Sequence, residues 1–199
     1  MSIINATFFK KLFYVCFLLT VMFGCGVLFF GMMLPPDWYV SRSTVIDAPP
    51  AAAYPLVRDL KQWPRWSPWQ KKDPAMKVEY GARSAGDGAE SRWESATLGT
   101  GTMKILDTSR DRLVHYETRI RSGRWDCLME GRIRFQKRQD GKTSVEWVAV
   151  GREEKLLPKL IAQVGFDRMM GPDFEAGLAS LKAAAEGSAV PAAPGEAQP

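Results

Sequence analysis

Histidine is almost absent from this chain, which has only His115 among its 199 residues. Cysteine is nearly as scarce: Cys16 and Cys25 fall in an apolar run, and Cys127 stands alone further on. One imidazole and one isolated thiol cannot supply the ligand set of a zinc site, so no metal is expected. No disulfide can form around Cys127 either. A Ser-His-Asp triad would have to be built on His115, whose strand parity puts it on the polar side of its strand. Gly86-Asp87-Gly88 and Gly99-Thr100-Gly101 separate strand-like stretches and open no helix, which excludes a phosphate-binding loop. No cofactor motif is present, and no cofactor is expected. The net charge is +5, and Lys10 and Lys11 carry two of those charges. The remainder is near balance, so nothing calls for a nucleic-acid partner.

Large apolar side chains are what the chain has instead, with seven tryptophans and nine methionines. From Leu12 to Leu34 there is no charged residue. As a helix this run is roughly 34 Å long, enough to cross a hydrocarbon core of ~30 Å. Lys10 and Lys11 precede it, and Pro35, Pro36, Asp37 and Trp38 follow. The positive-inside rule puts the N-terminus in the cytoplasm and the rest of the chain outside, with Trp38 and Tyr39 at headgroup level. A cleaved signal fits less well, because the run is long and ends in Met32-Met33-Leu34-Pro35. The chain therefore divides into a cytoplasmic segment 1–11, an anchor 12–34 in the inner (plasma) membrane, a domain 38–186 in the periplasm or outside the cell, and a disordered Ala/Pro/Gly tail 187–199.

Periodicity orders the domain. Val40–Ile46 reads as a strand, and Pro49-Pro50 opens a helix from Ala51 to about Leu60. Pro64 and Pro68 prevent a long helix through the tryptophans beyond it. Period-two stretches follow at Lys77–Tyr80, Ala89–Ser95, Gly101–Leu106, Leu113–Ile120, Trp125–Lys137 and Lys142–Gly151. Asp140-Gly141 marks a hairpin between the last two. Trp125, Cys127, Met129, Ile133 and Phe135 share one face, while Asp126, Glu130, Arg132 and Arg134 share the other, so the sheet has one apolar side. Helical sequence runs from about Lys155 to Ala185, with Gly171-Pro172 expected to kink or split it. This order predicts an α+β fold in which a curved antiparallel sheet is covered by a long C-terminal helix, with space for a pocket between them.

The run Ile46-Asp47-Ala48-Pro49-Pro50, the segment Asp59-Leu60-Lys61-Gln62-Trp63-Pro64-Arg65-Trp66-Ser67-Pro68-Trp69 and the terminal Gly171-Pro172-Asp173-Phe174-Glu175-Ala176-Gly177-Leu178 resemble the SRPBCC (START-like) superfamily. More closely, the chain is similar to its polyketide cyclase/dehydrase and lipid transport branch. The resemblance implies a helix-grip fold enclosing an apolar cavity; it implies no particular reaction, because fold does not fix function.

Trp66, Trp69, Trp93, Met103, Ile105, Tyr116, Trp125, Met129 and Trp147 are the residues expected at that cavity. Acid–base chemistry would have to rest on His115, Tyr116 or a carboxylate in the cavity, although His115 reads as a surface residue and Glu79, Glu90 and Glu94 as solvated. The leading expectation is a membrane-anchored binder of a lipid or other apolar small molecule. A protein-interaction module with a filled cavity and a cyclase- or dehydratase-type enzyme are the alternatives. No protein partner can be named.

Overall fold

A computed structural model of the chain describes residues 3–123, 125–153 and 156–187. The predicted tail lies almost wholly outside them. Helix α1 spans Ile3–Met33, and its Phe8–Met33 section is long and apolar enough to cross a membrane. From Phe8 to Met33 it has no polar face, and its phenylalanines, leucines and valines are exposed around the whole circumference. A helix that is apolar all round suits a bilayer, a protein core or a signal sequence, and the apolar window of this one is not buried. The helix starts before the lysine pair because nothing between Ile3 and Lys11 breaks it.

Seven strands follow, interrupted by short helices: β1 (Asp37–Ile46), α2 (Pro50–Arg58), a 3-10 turn (Leu60–Arg65), α3 (Pro68–Lys72), β2 (Lys77–Tyr80), β3 (Glu90–Ser95), β4 (Gly99–Ser109), β5 (Leu113–Ser122), β6 (Trp125–Lys137) and β7 (Thr143–Arg152). Helix α4 (Leu156–Ala185) closes the domain. The sheet order is β1-β7-β6-β5-β4-β3-β2, antiparallel throughout, so the first strand lies beside the last. Strand β4 runs past the predicted Leu106 because a bulge between Ile105 and Asp107 absorbs one residue and lets pairing with β5 continue to Ser109. The Asp140-Gly141 turn forms as expected, with Gly141 at φ +82°.

The apolar sheet face contributes Val40, Ile46, Ile105, Val114, Tyr116, Ile133, Val145 and Trp147 to a core completed by Phe174, Leu178 and Leu181 of α4. Two expectations need correcting here. Of the kink or split expected at Gly171-Pro172, the split does not occur, because α4 is one helix through Pro172. The proline forfeits its own N–H bond, while buried Met170 and Phe174 on either side hold the turn against the sheet. Gly171 instead makes room for a crossing side chain, since a Cβ there would lie 2.2 Å from an Arg42 guanidinium nitrogen. Arg42 crosses the helix at this gap and binds Asp167 and Glu175, four residues to either side, each at 2.7 Å. The second failure is Trp38, which is buried and stacked on Phe166 at 4.1 Å, with Gly151 beneath its ring; it is a core residue, not an interfacial one. Tyr39, pointing the other way, is exposed.

Candidate functional site

The tryptophan-rich segment builds one wall of the site. Two of its indole N–H groups donate to the otherwise orphaned last carbonyls of α2, Trp63 to Val57 at 2.8 Å and Trp66 to Leu56 at 2.9 Å. Those bonds fold the segment back against the sheet. Trp66 is consequently 0% exposed. It joins a packed aromatic group in which Trp147 lies flat on Phe174 at 4.1 Å and meets Trp66 at 5.3 Å and Trp69 at 5.7 Å. The Trp147 indole N–H donates to the Tyr116 hydroxyl at 2.7 Å. Burial holds the Tyr116 phenol above the usual tyrosine range, against a smaller opposing effect of that hydrogen bond.

This group fills the part of the grip beneath α4, which sits mainly over β1. Toward β2–β6 the sheet is not covered by the helix, and a cavity of about 340 Å³ remains. Its floor is two cross-strand rows. Ser91, Met103, Thr118 and Met129 are register neighbours on β3 to β6. Val78, Trp93, Gly101 and Ile120 form the adjacent row on β2 to β5. Gly101 matters for the shape: a Cβ there would fall 2.1 Å from the Trp93 ring, so the indole lies down on the sheet and does not project across the space. Such aromatic–glycine pairing recurs at Tyr116 over Gly131.

Leu60, Trp63 and Trp69 close one side, and Met169, Met170 and Asp173 of α4 another. Among the described lining residues, Lys72, Thr97, Ser122 and Met169 are the exposed ones and frame the mouth, while Leu60, Trp63, Met103 and Thr118 are buried at the closed end. Lys72 pairs with Asp173 at 2.6 Å. Asp73 behind the mouth accepts from Ser95 at 2.5 Å and is held below the ordinary carboxylate range chiefly by that bond. Tyr80 is pushed up by burial and by Asp59.

The mouth lies at a definite end of the sheet. Register places Asp37, Arg152, Met129, Ser122 and Gly99 together at one end, and Ile46, Thr143, Leu113 and Ser109 at the other. Thr97 and Ser122 are therefore at the end where α1 joins β1, and Lys159 of α4 donates to the Leu34 carbonyl at that same end. Two wider depressions, of about 840 and 520 Å³, surround Arg110 and Asp111 at the opposite end. Charged residues such as Arg134, Lys137 and Glu146 border the first and Arg58 the second, so both mix charged with apolar lining.

Of the nine residues expected at the cavity, Trp69, Trp93, Met103 and Met129 line it. Ile105, Tyr116, Trp147 and Trp66 are one layer deeper, in the packed core, because α4 and the tryptophan segment cover that part of the sheet. The side chain of Trp125 lies outside what the structure describes. His115 is on the outer face, 3.1 Å from Glu130, away from the cavity. Glu90 lies on that face too, paired with Lys104. Thr118, Leu60, Trp63, Met76, Tyr80, Met169 and Met170 line the cavity without having been expected there. Parity from Tyr116 points to Thr118, and helical spacing from Phe166 points to Met169 and Met170; nothing local marks Met76.

A seven-stranded antiparallel sheet gripping a long C-terminal helix, with an apolar cavity between them, defines a helix-grip domain. Residues 37–186 match the family described as polyketide cyclase / dehydrase and lipid transport, and the chain belongs to it. No curated protein matches the chain. Among solved structures, one from Chromobacterium violaceum is 15% identical with a TM-score of 0.55, covering 74% of this chain and 96% of the other. The di-domain ARO/CYC protein BexL from the BE-7585A biosynthetic pathway is 18% identical with a TM-score of 0.55, over 74% of this chain and 46% of BexL. The Aha1 dimer from Colwellia psychrerythraea is 14% identical with a TM-score of 0.51, over 74% and 96%. At these identities the likeness extends to the fold alone.

Proposed function

We propose that this protein is a membrane-anchored carrier or receptor for one small apolar molecule held between the sheet and α4. The observation that supports it most is the lining: five methionines (Met76, Met103, Met129, Met169 and Met170) with Trp69, Trp93 and Ile120 around an unfilled space of about 340 Å³. Methionine is unbranched and polarizable, so such a wall adapts to differing apolar shapes. The volume is more than twice the ~150 Å³ in which a dry engineered cavity takes up benzene. It accommodates one chain or a few fused rings and not a whole two-tailed lipid. Driving force comes from removing the ligand's apolar surface from water, at ~25 cal/mol per Å².

Helix α1 is the tether. Lys10 and Lys11 direct its N-terminus to the cytoplasm and the domain to the periplasm or exterior. The tether raises the effective concentration of the cavity near lipid, and the mouth lies at the tethered end of the sheet, facing the source of apolar ligands. The test is ligand uptake by the full chain in lipid nanodiscs, read by fluorescence of 1-aminoanthracene, which brightens in an apolar site. Saturable one-to-one uptake above that of empty discs, lost in Met129→Glu, supports the reading. Identical signals from both proteins would refute it.

A further inference from the structure

One polar atom in the cavity wall has no partner. Thr118 is 3% exposed, and its hydroxyl is the single buried side-chain polar atom among the described residues without a hydrogen bond. Nothing nearby offers it a protein partner. Its register neighbours on either side are Met103 and Met129, and Ile120 follows two residues on along the strand. A buried hydroxyl left unpaired is destabilising relative to an apolar isostere, and valine has the same shape. The strand also supplies a natural alternative, since Val114, two turns of the pleat earlier on the same face, is apolar and fully buried.

We infer that Thr118 is the polar anchor of the ligand site: the bound molecule carries a hydrogen-bonding oxygen, a hydroxyl or carbonyl, that meets the Thr118 hydroxyl at the closed end. This rests on the apolar-ligand reading above and narrows its ligand class. A threonine hydroxyl both donates and accepts, so it serves either group. A χ1 step of about 120° carries the hydroxyl into the methyl's staggered position and the methyl into the hydrogen's, which turns the hydroxyl toward a ligand without moving the strand. The ligand's inner group is uncharged. Among the described lining residues Lys72 is the only cation and is already neutralised by Asp173, and Thr118 is flanked by thioethers, which cannot balance a carboxylate or ammonium. The ligand class is therefore a neutral, mono-oxygenated apolar molecule, oriented oxygen-first, with its hydrocarbon part against the methionines and Trp93.

The test compares 1-decanol with decane as competitors of 1-aminoanthracene on the full chain in nanodiscs, using wild type, Thr118→Val and Thr118→Ser. Use of the same discs for all three proteins cancels partitioning into lipid. Wild type binds decanol more tightly than decane once each competitor's partitioning into empty discs is subtracted. Thr118→Val weakens decanol about three- to tenfold, the worth of one hydrogen bond, and leaves decane within twofold. Thr118→Ser keeps the preference for the alcohol. Thr118→Val also raises the unfolding midpoint of the ligand-free protein, because it removes an unpaired buried group. Decanoate binds no better than decane. Equal effects of Thr118→Val on both competitors would overturn the inference while leaving the apolar cavity standing. Failure of wild type to take up the probe at all would remove the cavity reading and this inference with it.

Discussion

Replacing Gly131 with alanine should unfold the aromatic half of the grip from within. A Cβ at this position would lie 2.0 Å from the Tyr116 ring and 2.3 Å from its hydroxyl oxygen. Tyr116 has nowhere to retreat: it is 2% exposed, meets Trp63 edge-on at 5.3 Å and accepts the Trp147 indole N–H at 2.7 Å. Forcing a methyl into a packed core costs about 1–3 kcal/mol. Displacement of the ring also strands the fully buried Trp147 N–H, for another ~1–3 kcal/mol. The combined loss is roughly 2–6 kcal/mol, a large share of the ~5–15 kcal/mol that stabilises an ordinary domain. Urea unfolding of the full chain in nanodiscs, followed by tryptophan fluorescence, reads the domain alone because no tryptophan lies in α1. The midpoint should fall by roughly 2 M. Gly141→Ala is the control, since Gly141 has φ +82° but nothing within 4 Å of its would-be Cβ. It should cost only the left-handed backbone penalty of about 1–2 kcal/mol. If Gly131→Ala costs no more than Gly141→Ala, the close approach of ring to strand is not what holds this layer.

Trp66→Phe removes the indole N–H that satisfies the Leu56 carbonyl; it should destabilise the domain by about 1–3 kcal/mol in the same assay while leaving probe uptake intact, because Trp66 does not line the cavity. The Arg42 bridge should be acid-labile. Asp167 is held below the ordinary carboxylate range chiefly by its hydrogen bond from Arg42, so its contribution is present above that range and is lost as pH falls through the depressed value. The stability difference between wild type and Arg42→Gln, measured by urea midpoints, should therefore shrink from pH 7 toward pH 3 or below. Burial, then the charges of Glu153 and Asp126, push the Cys127 thiol up to about 11. In a Cys16→Ser/Cys25→Ser background, iodoacetamide should label it slowly at neutral pH, with the rate rising toward pH 11; a rise centred near the usual ~8.5 would contradict that environment.

Much of this architecture is written in short-range pattern. The alternation of Met129, Ile133 and Phe135 with Glu130, Arg132 and Arg134 announces which face of β6 is buried, and the same parity on β5 puts His115 outside and Tyr116 within. The Asp140-Gly141 turn is equally local. What pattern could not supply is which part of an apolar face is covered by which neighbour. Tyr116, Trp147 and Met103 look alike by periodicity; only the lateral placement of α4 over β1 separates the packed half from the open one. Trp66 and Trp69 share one motif, yet the hydrogen bond from Trp66 to Leu56 buries the first and leaves the second at the cavity. Trp38 follows the apolar run and so reads as a headgroup residue until Phe166, far along the chain, stacks on it. Pro172 looks like a break because its neighbours' tertiary support is invisible to propensity.

Whether the space between sheet and helix holds a single apolar ligand is tested most directly by native mass spectrometry of the full chain ejected from lipid nanodiscs. Lipids clinging to α1 appear on any variant, so the comparison is wild type against Met129→Glu, which places a charge on the cavity floor. The expected result is one additional small-molecule adduct per wild-type chain, neutral and soluble in organic solvent, that is missing from Met129→Glu while the α1-bound lipids remain. The same adduct distribution on both proteins, or none beyond those lipids on either, would contradict a ligand-holding cavity.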